Sequence, residues 1–309
     1  MSDLEAVFLD HRAPLLIGGA DTRSYLQGLI SNDINKVAPA RAIYAALLTA
    51  QGKFLHEFFI ADWPDAGANG VAIEAERERL ADLERRLTLY RLRAKVEIAK
   101  ATEHLAVIAL LGPNARLAIG LDDRPGAAIA FGGGVAYVDP RLPAMGVRAI
   151  LPRANAAASL AAAGCTIAPI AAYDRLRLAH GLPDGSRDIV VERYFPLECG
   201  FEELNAIDYQ KGCYVGQELT ARTHYRGTIR KRLLPVAVEG PLPPPGTPIK
   251  LGERDAGEVR SGLDRRAIAM MRLDDVEEAA TKGLALMAAD TRVHPQVPAW
   301  VRLAPAKAS

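Results

Sequence analysis

Past residue 230 the chain changes texture, and no other feature limits the fold as strongly. Short apolar runs at 233–238, 247–251, 256–261 and 267–273 are separated by Gly240-Pro241, Pro243-Pro244-Pro245-Gly246 and Gly252. Strand-length segments broken by residues that neither a helix nor a central strand accepts predict an all-β module, a small barrel or Greek key, over 231–309. The first 230 residues read differently. Apolar runs at 13–17, 42–49, 54–61 and 71–75 predict strands, the middle two a hairpin around Gln51-Gly52-Lys53. Between them, Asp21 is placed to cap a helix reaching Ile30, and Leu80, Leu83, Leu87 and Tyr90 recur at helical spacing within 76–90. A strand follows over 91–100. A second series starts near residue 102: strands at 105–111, 135–138 and 147–151, and helices at 114–119, 155–163 and 171–180. Strands and helices interleave, so the class is α+β, with 1–230 as two interleaved subdomains breaking near 102 and 231–309 as the barrel domain.

Composition narrows the class further. The 309 residues are half hydrophobic with a net charge of +1, which describes a globular chain of two or three units and not a disordered or strongly nucleic-acid-seeking one. Residues 1–10 hold acidic side chains and no apolar signal core, and no apolar run reaches membrane-spanning length. Cys165, Cys199 and Cys213 are odd in number and widely spaced, which argues for a reducing compartment, with the cytoplasm as the expectation. The tail 304–309 is expected to fray.

The chemistry concentrates in Lys211-Gly212-Cys213-Tyr214-Val215-Gly216-Gln217-Glu218, followed by Arg222, Arg226 and Arg230. Residues 214–221 predict a helix with Gly212 and Cys213 at its mouth. Free N–H groups and the positive end of the helix dipole favour an anion there, and Lys211 adds to that field, so the thiolate of Cys213 is favoured. Cys165 precedes apolar Ile167, and Cys199 lies among Glu198, Glu202 and Glu203, surroundings that disfavour a thiolate. A small buried hydrophobe is the competing reading for Cys213, and the spacing leaves both open. Gly216 in a first helical turn costs about 1 kcal/mol relative to alanine, which points to a close approach to the backbone.

Other constellations weigh less. The cysteines and histidines form no C-x-x-C or H-x-x-x-H pair, so a self-contained zinc or iron–sulfur site is not expected. His224 leaves a Cys/His pair open, but eleven helical residues would carry it about 16 Å from Cys213. Arg222, Arg226 and Arg230 make a basic stripe if the helix persists through Gly227, either a solvated face or a contact to an anion or RNA. Gly132-Gly133-Gly134 lacks the Lys-Ser/Thr of a phosphate loop and predicts a hairpin turn. His180, near a helix C-terminus, suits a dipole partner.

The octapeptide with Ala221-Arg222 and Arg226-Gly227 resembles the signature of the YgfZ family, folate-binding proteins related to the aminomethyltransferase of the glycine cleavage system. Tyr25-Leu26-Gln27-Gly28-Leu29-Ile30-Ser31-Asn32-Asp33, Leu47-Leu48-Thr49 with Gly52-Lys53, and Tyr90-Arg91-Leu92-Arg93-Ala94-Lys95-Val96 are similar to further pieces of that superfamily, in order and over nearly the whole chain. The resemblance implies an aminomethyltransferase-like cloverleaf of α+β subdomains with a C-terminal β-barrel, around tetrahydrofolate or a derivative. It implies upkeep of iron–sulfur proteins, including radical enzymes that modify tRNA, in the branch shared by α-proteobacteria and mitochondria. Iron–sulfur assembly proteins, A-type carriers among them, would be the partners, with no DNA and no membrane. Cys213 and Lys211 carry the implied chemistry, Cys213 as a redox thiolate or as ligand of a cluster shared with a partner. Glu198, Tyr214, Gln217, Glu218, Arg222 and Glu57 are the implied folate contacts. His56-Glu57 stands where the aminomethyltransferases have an Asp pair, which sets a folate-dependent accessory protein against a one-carbon transferase using Glu57.

Overall fold

The computed structural model describes residues 4–227 and 229–303, with the side chain of Arg226 left aside. The tail 304–309 and residues 1–3 lie outside the described residues. The chain divides into two compact units, one of residues 1–50, 55–173 and 204–217, the other of 51–54, 174–203 and 218–309.

The first unit opens with β1 (Glu5–Phe8), β2 (Arg12–Gly18) and α1 (Thr22–Gln27), then β3 (Ile43–Leu48) and β4 (Phe54–Asp62), whose first residue belongs to the second unit. It continues with β5 (Val71–Glu76), α2 (Leu80–Arg91), β6 (Glu97–Lys100), β7 (Leu105–Leu111), α3 (Ala115–Ala118), β8 (Ala128–Phe131), β9 (Gly134–Val138), β10 (Val147–Pro152), α4 (Arg153–Ala162) and β11 (Thr166–Ile167). Two sheets result, ordered β3-β4-β5-β2-β6 and β11-β1-β7-β10-β9-β8. The predicted strand at 91–100 shrinks to β6 because Leu92 turns the chain with φ 46° just past α2. Gly132 and Gly133, at φ 57° and 78°, make the tight β8–β9 turn that a two-residue hairpin requires. Ala156 and Leu160 of α4 join Ile108, Leu110, Ala149 and Leu151 in the core of the second sheet. β1 and β11 escape the sequence reading: β11 pairs with β1 over two residues, too few to leave a pattern.

Where the two sheets meet, the interior is charged. Glu74 of β5 accepts from Arg12 Nε at 2.7 Å, from Arg148 Nε of β10 at 2.9 Å and from the Tyr137 hydroxyl of β9 at 3.0 Å. Arg12 also pairs with Glu57, and the Arg148 guanidinium lies 4.0 Å over the Phe59 ring. Burial alone would push the Glu74 carboxyl up, but Arg148 and Arg12 together pull it down to about 2. Buried charges of this kind persist only when paired and hydrogen-bonded, as these are.

The second unit contains α5 (Ile170–His180) from Asp174 onward and α6 (Gln217–Arg226) from Glu218 onward, then β12 (Lys231–Glu239), β13 (Pro248–Leu251), β14 (Arg254–Leu263), β15 (Arg266–Arg272), α7 (Leu273–Lys282), β16 (Leu286–Ala288) and β17 (Thr291–Pro295). The six strands close into a barrel in the order β12-β15-β14-β13-β16-β17. Alternate residues fill it: Leu234, Val236 and Val238, Ile249 and Leu251, Ala267, Ala269 and Met271 are all buried. α7, β16 and β17 lie beyond the last strand that the apolar runs predict. Among the described residues no helix is long and apolar enough to cross a membrane.

Candidate functional site

The Cys213 loop belongs to the first unit and is held there by α1. Lys211 Nζ donates to the carbonyls of Gln27, Ile30 and Asn32 at 2.7, 2.6 and 2.9 Å, the C-terminal end of α1 and the turn after it. Gln27 Nε2 returns a bond to the Lys211 carbonyl at 3.0 Å, and the Val215 N–H donates to Gly28 at 3.1 Å. A short helix leaves its last carbonyls without partners, and a lysine from a distant segment satisfies them. The ammonium also lies 5.0 Å over the Tyr214 ring, and burial lowers its pKa to about 8. Lys211, the residue expected to lend its field to Cys213, thus spends its donors on these carbonyls.

The expected helix at 214–221 is corrected. Gly216 sits at φ 83°, a conformation a helix does not admit, so α6 starts only at Gln217 and Cys213 lies four residues before it. That turn requires the positive φ that glycine adopts freely. Gln217 closes the turn, its Oε1 accepting from the Tyr214 N–H at 3.2 Å. Cys213 is exposed, while burial raises the thiol pKa of half-buried Cys165 and raises that of buried Cys199 far more, with Glu198 adding to the latter. The packed reading of Cys213 is therefore replaced by a surface thiol.

The same unit holds a cavity of about 570 Å³ lined by Asn32, Lys36, Arg41, Tyr44, Arg124, Pro140, Asn205 and Ile207 among others. Its walls join the turn after α1 to the segment that leads into the Cys213 loop: Asn32 Nδ2 donates to Tyr44 O and Asn205 O, both at 2.8 Å. Three cations and no carboxylate line it. None of Glu198, Tyr214, Gln217, Glu218, Arg222 and Glu57 does. Glu57 lies behind it, buried on Arg12, and its charge adds to burial in raising the Tyr44 phenol. Tyr214 is buried beneath Lys211. His56, beside Glu57, meets Asp82 at 2.9 Å.

In the second unit, Glu198 lines a separate cavity of about 300 Å³ with Phe195, Leu219, Thr220, Thr223, Ile229 and Arg230. It accepts from the Phe195 N–H at 3.0 Å, and burial raises its carboxyl pKa. Glu218 and Arg222 are exposed on α6. The three-arginine stripe does not form: α6 ends at Arg226, Gly227 turns away at φ 69°, and Arg230 lies beyond it. His224 pairs with Glu202 at 2.9 Å. Among the described residues no group of three or more His, Cys, Asp or Glu side chains is placed to hold a metal ion. The sequence reading missed Asn32, Arg41 and Tyr44 as cavity residues, and it missed Glu74 and Arg148 altogether; the one signal for the last two is a lone charge inside an otherwise apolar strand, as in Val71-Ala72-Ile73-Glu74-Ala75.

Sheets, barrel and loop together define a protein of the glycine-cleavage aminomethyltransferase fold. The chain is similar to the glycine cleavage system aminomethyltransferase T from Bartonella henselae, with a TM-score of 0.74 over 96% of this chain and 86% of that one, at 16% identity, a likeness of fold alone. Residues 9–120 match the GCVT N-terminal domain, and residues 230–303 match the CAF17 C-terminal β-barrel domain. It belongs to the IBA57 family of iron–sulfur cluster assembly factors. The mouse mitochondrial factor is 31% identical over 87% of this chain and 78% of its own length, and the human one 33% over 85% and 76%. The Neurospora crassa homolog is 34% identical, and this chain spans 54% of its length. These relatives are mitochondrial, which overturns the cytoplasmic expectation.

Proposed function

We propose that this protein is a tetrahydrofolate-binding accessory factor of iron–sulfur cluster assembly, in which Cys213 supplies one thiolate to a cluster shared with a partner. The observation that carries the reading is an exposed cysteine on a loop pinned to α1 by Lys211 and Val215. Membership of a family named for cluster assembly supports it. A cluster needs further soft ligands, and Cys199 is buried in the other unit, so a partner such as an A-type carrier supplies the rest. Radical enzymes that modify tRNA are the clients reached indirectly through such carriers.

Folate is assigned to the cavity of the first unit, within the 1–230 region proposed to bind it. A volume of about 570 Å³ lies in the range of cofactor sites, and Lys36, Arg41 and Arg124 suit the glutamate carboxylates of an anionic folate. The bound folate would supply one-carbon or redox chemistry of its own. The transferase alternative fares worse, because Glu57 is 3% exposed and tied to Arg12, not presented to a ligand as a base. Calorimetric titration with tetrahydrofolate tests the cavity: binding that Arg41→Glu weakens is expected, and no heat with no thermal protection removes the folate assignment. A deletion strain assayed for four-iron enzyme activities and complemented with wild type or Cys213→Ser tests the thiolate. Full rescue by Cys213→Ser would refute it.

A further inference from the structure

α2 ends in an exposed apolar cluster that its fold does not use. Leu89, Tyr90 and Leu92 are 63%, 48% and 88% exposed, three of the large hydrophobics left in solvent, within four residues of one another. Leu92 is also at φ 46°, the left-handed region that favours glycine. A leucine here is poorly suited to the backbone and buries almost nothing, which is the kind of outlier from which function is inferred. Around it Arg91, Arg93 and Lys95 are exposed, and among the described residues no carboxylate pairs with their side-chain charges, although the Asp21 carboxylate accepts from the Lys95 backbone N–H at 2.7 Å, whereas Arg85 and Arg86 of α2 both pair with Asp82.

This cluster and the Cys213 loop are tied to the same six-residue helix. Tyr25 of α1 donates its hydroxyl to the Leu87 carbonyl of α2, and the N–H of Asp21, just before α1, donates to Lys95 O. Two residues on from Tyr25, Gln27 donates to Lys211, and one further on Gly28 accepts from Val215. At about 1.5 Å of rise per residue, Tyr25 and Gly28 lie about 4.5 Å apart along the axis.

We propose that Leu89, Tyr90 and Leu92 with Arg91, Arg93 and Lys95 form the docking surface for the cluster-sharing partner, a protein whose contact face is acidic around an apolar centre. This rests on the reading of Cys213 given above and adds where the partner sits. Aliphatic side chains at the centre with unpaired cations at the rim match a protein interface, in which apolar anchors carry affinity and rim charges carry rate and salt dependence. A nucleic-acid surface would present stacking aromatics, and here one tyrosine stands among leucines.

The test uses the full-length protein and the purified A-type carrier from the same genome, with titration calorimetry at two salt concentrations. Leu92→Gly removes the apolar anchor and suits the backbone, so the thermal midpoint is expected to hold or rise while affinity falls about tenfold. Arg91→Glu with Arg93→Glu is expected to weaken binding comparably and to flatten its salt dependence, whereas Cys213→Ser should dock the cluster-free carrier as wild type does. Wild-type affinity in both surface variants would overturn the surface and leave the Cys213 reading standing. Absence of carrier binding to the wild type would overturn both, and so, for the surface, would transfer RNA competing at these residues in place of the carrier.

Discussion

Replacing Lys211 by methionine isolates what pins the Cys213 loop. The ammonium donates to three carbonyls at 2.6–2.9 Å, and hydrogen bonds to a charged donor contribute about 1.5–3 kcal/mol each. Two effects reduce the sum. Burial already disfavours the charge, as the lowered pKa of about 8 indicates, and the carbonyl of half-buried Gln27, unlike those of buried Ile30 and Asn32, gains water once the lysine is gone. A net weakening of about 1–2 kcal/mol in the local opening of the loop remains, after discounting for partial exposure. At 1.4 kcal/mol per factor of ten, the open population should rise about 5- to 30-fold. The N–H of Val215, bonded to Gly28, reports that opening directly by hydrogen exchange at pH 7. Alkylation of Cys213 should change little, because the thiol is exposed already. Exchange at Val215 within twofold of wild type would show that Lys211 does not hold the loop.

Acid should destabilise the protein in two steps. Burial first, then Arg79, lowers His56 to about 4 from an ordinary 6.5, so the unfolded chain binds its proton first and stability is lost as pH falls from 6.5 to 4. Glu74, held at about 2 against 4.5, keeps its contribution above 4.5 and loses it as pH falls towards 2. Each contributes at most about 1.4 kcal/mol per pH unit, and His56→Gln should remove the upper slope in denaturant titrations; an unchanged slope would discount His56. Glu74→Gln leaves Arg12 and Arg148 buried without their shared carboxylate and should cost about 3–5 kcal/mol, read as a fall in thermal midpoint, whereas a shift under a degree would mean the cluster relaxes freely.

Elements with a strong period were legible. The barrel strands 12 to 15 follow from apolar runs cut by proline and glycine, and the β8–β9 turn follows from Gly132-Gly133. What failed was local propensity where tertiary contacts decide. The helix expected over 214–221 loses its first three residues to the φ of Gly216 and to the Val215 bond with Gly28, a partner 187 residues away. The same holds for the site: Cys213 stood out by type, but the anchoring of Lys211 on α1 and the cavity at Arg41 and Tyr44 join segments far apart in sequence, and no local pattern announces such a meeting. An apolar residue at an alternating position predicts a buried strand residue at Leu92; its exposure depends on a turn that nothing nearby in the sequence requires.

The interleaving of the two units has a consequence for synthesis on the ribosome. The first unit has all its residues once Gln217 is made, while the second takes residues 51–54 and 174–203 from the earlier chain and awaits the whole barrel. Arg177 and Asp188, both fully buried, pair with each other at 3.0 Å but also need Ser261, which binds the guanidinium at 2.7 Å and the carboxylate at 2.6 Å. Translation at about 5–20 residues per second leaves about 2–9 s between Gln217 and Ser261. Through that interval Arg177 and Asp188 stay partly solvated, and the nascent chain presents an unfinished second unit to whatever chaperone attends it.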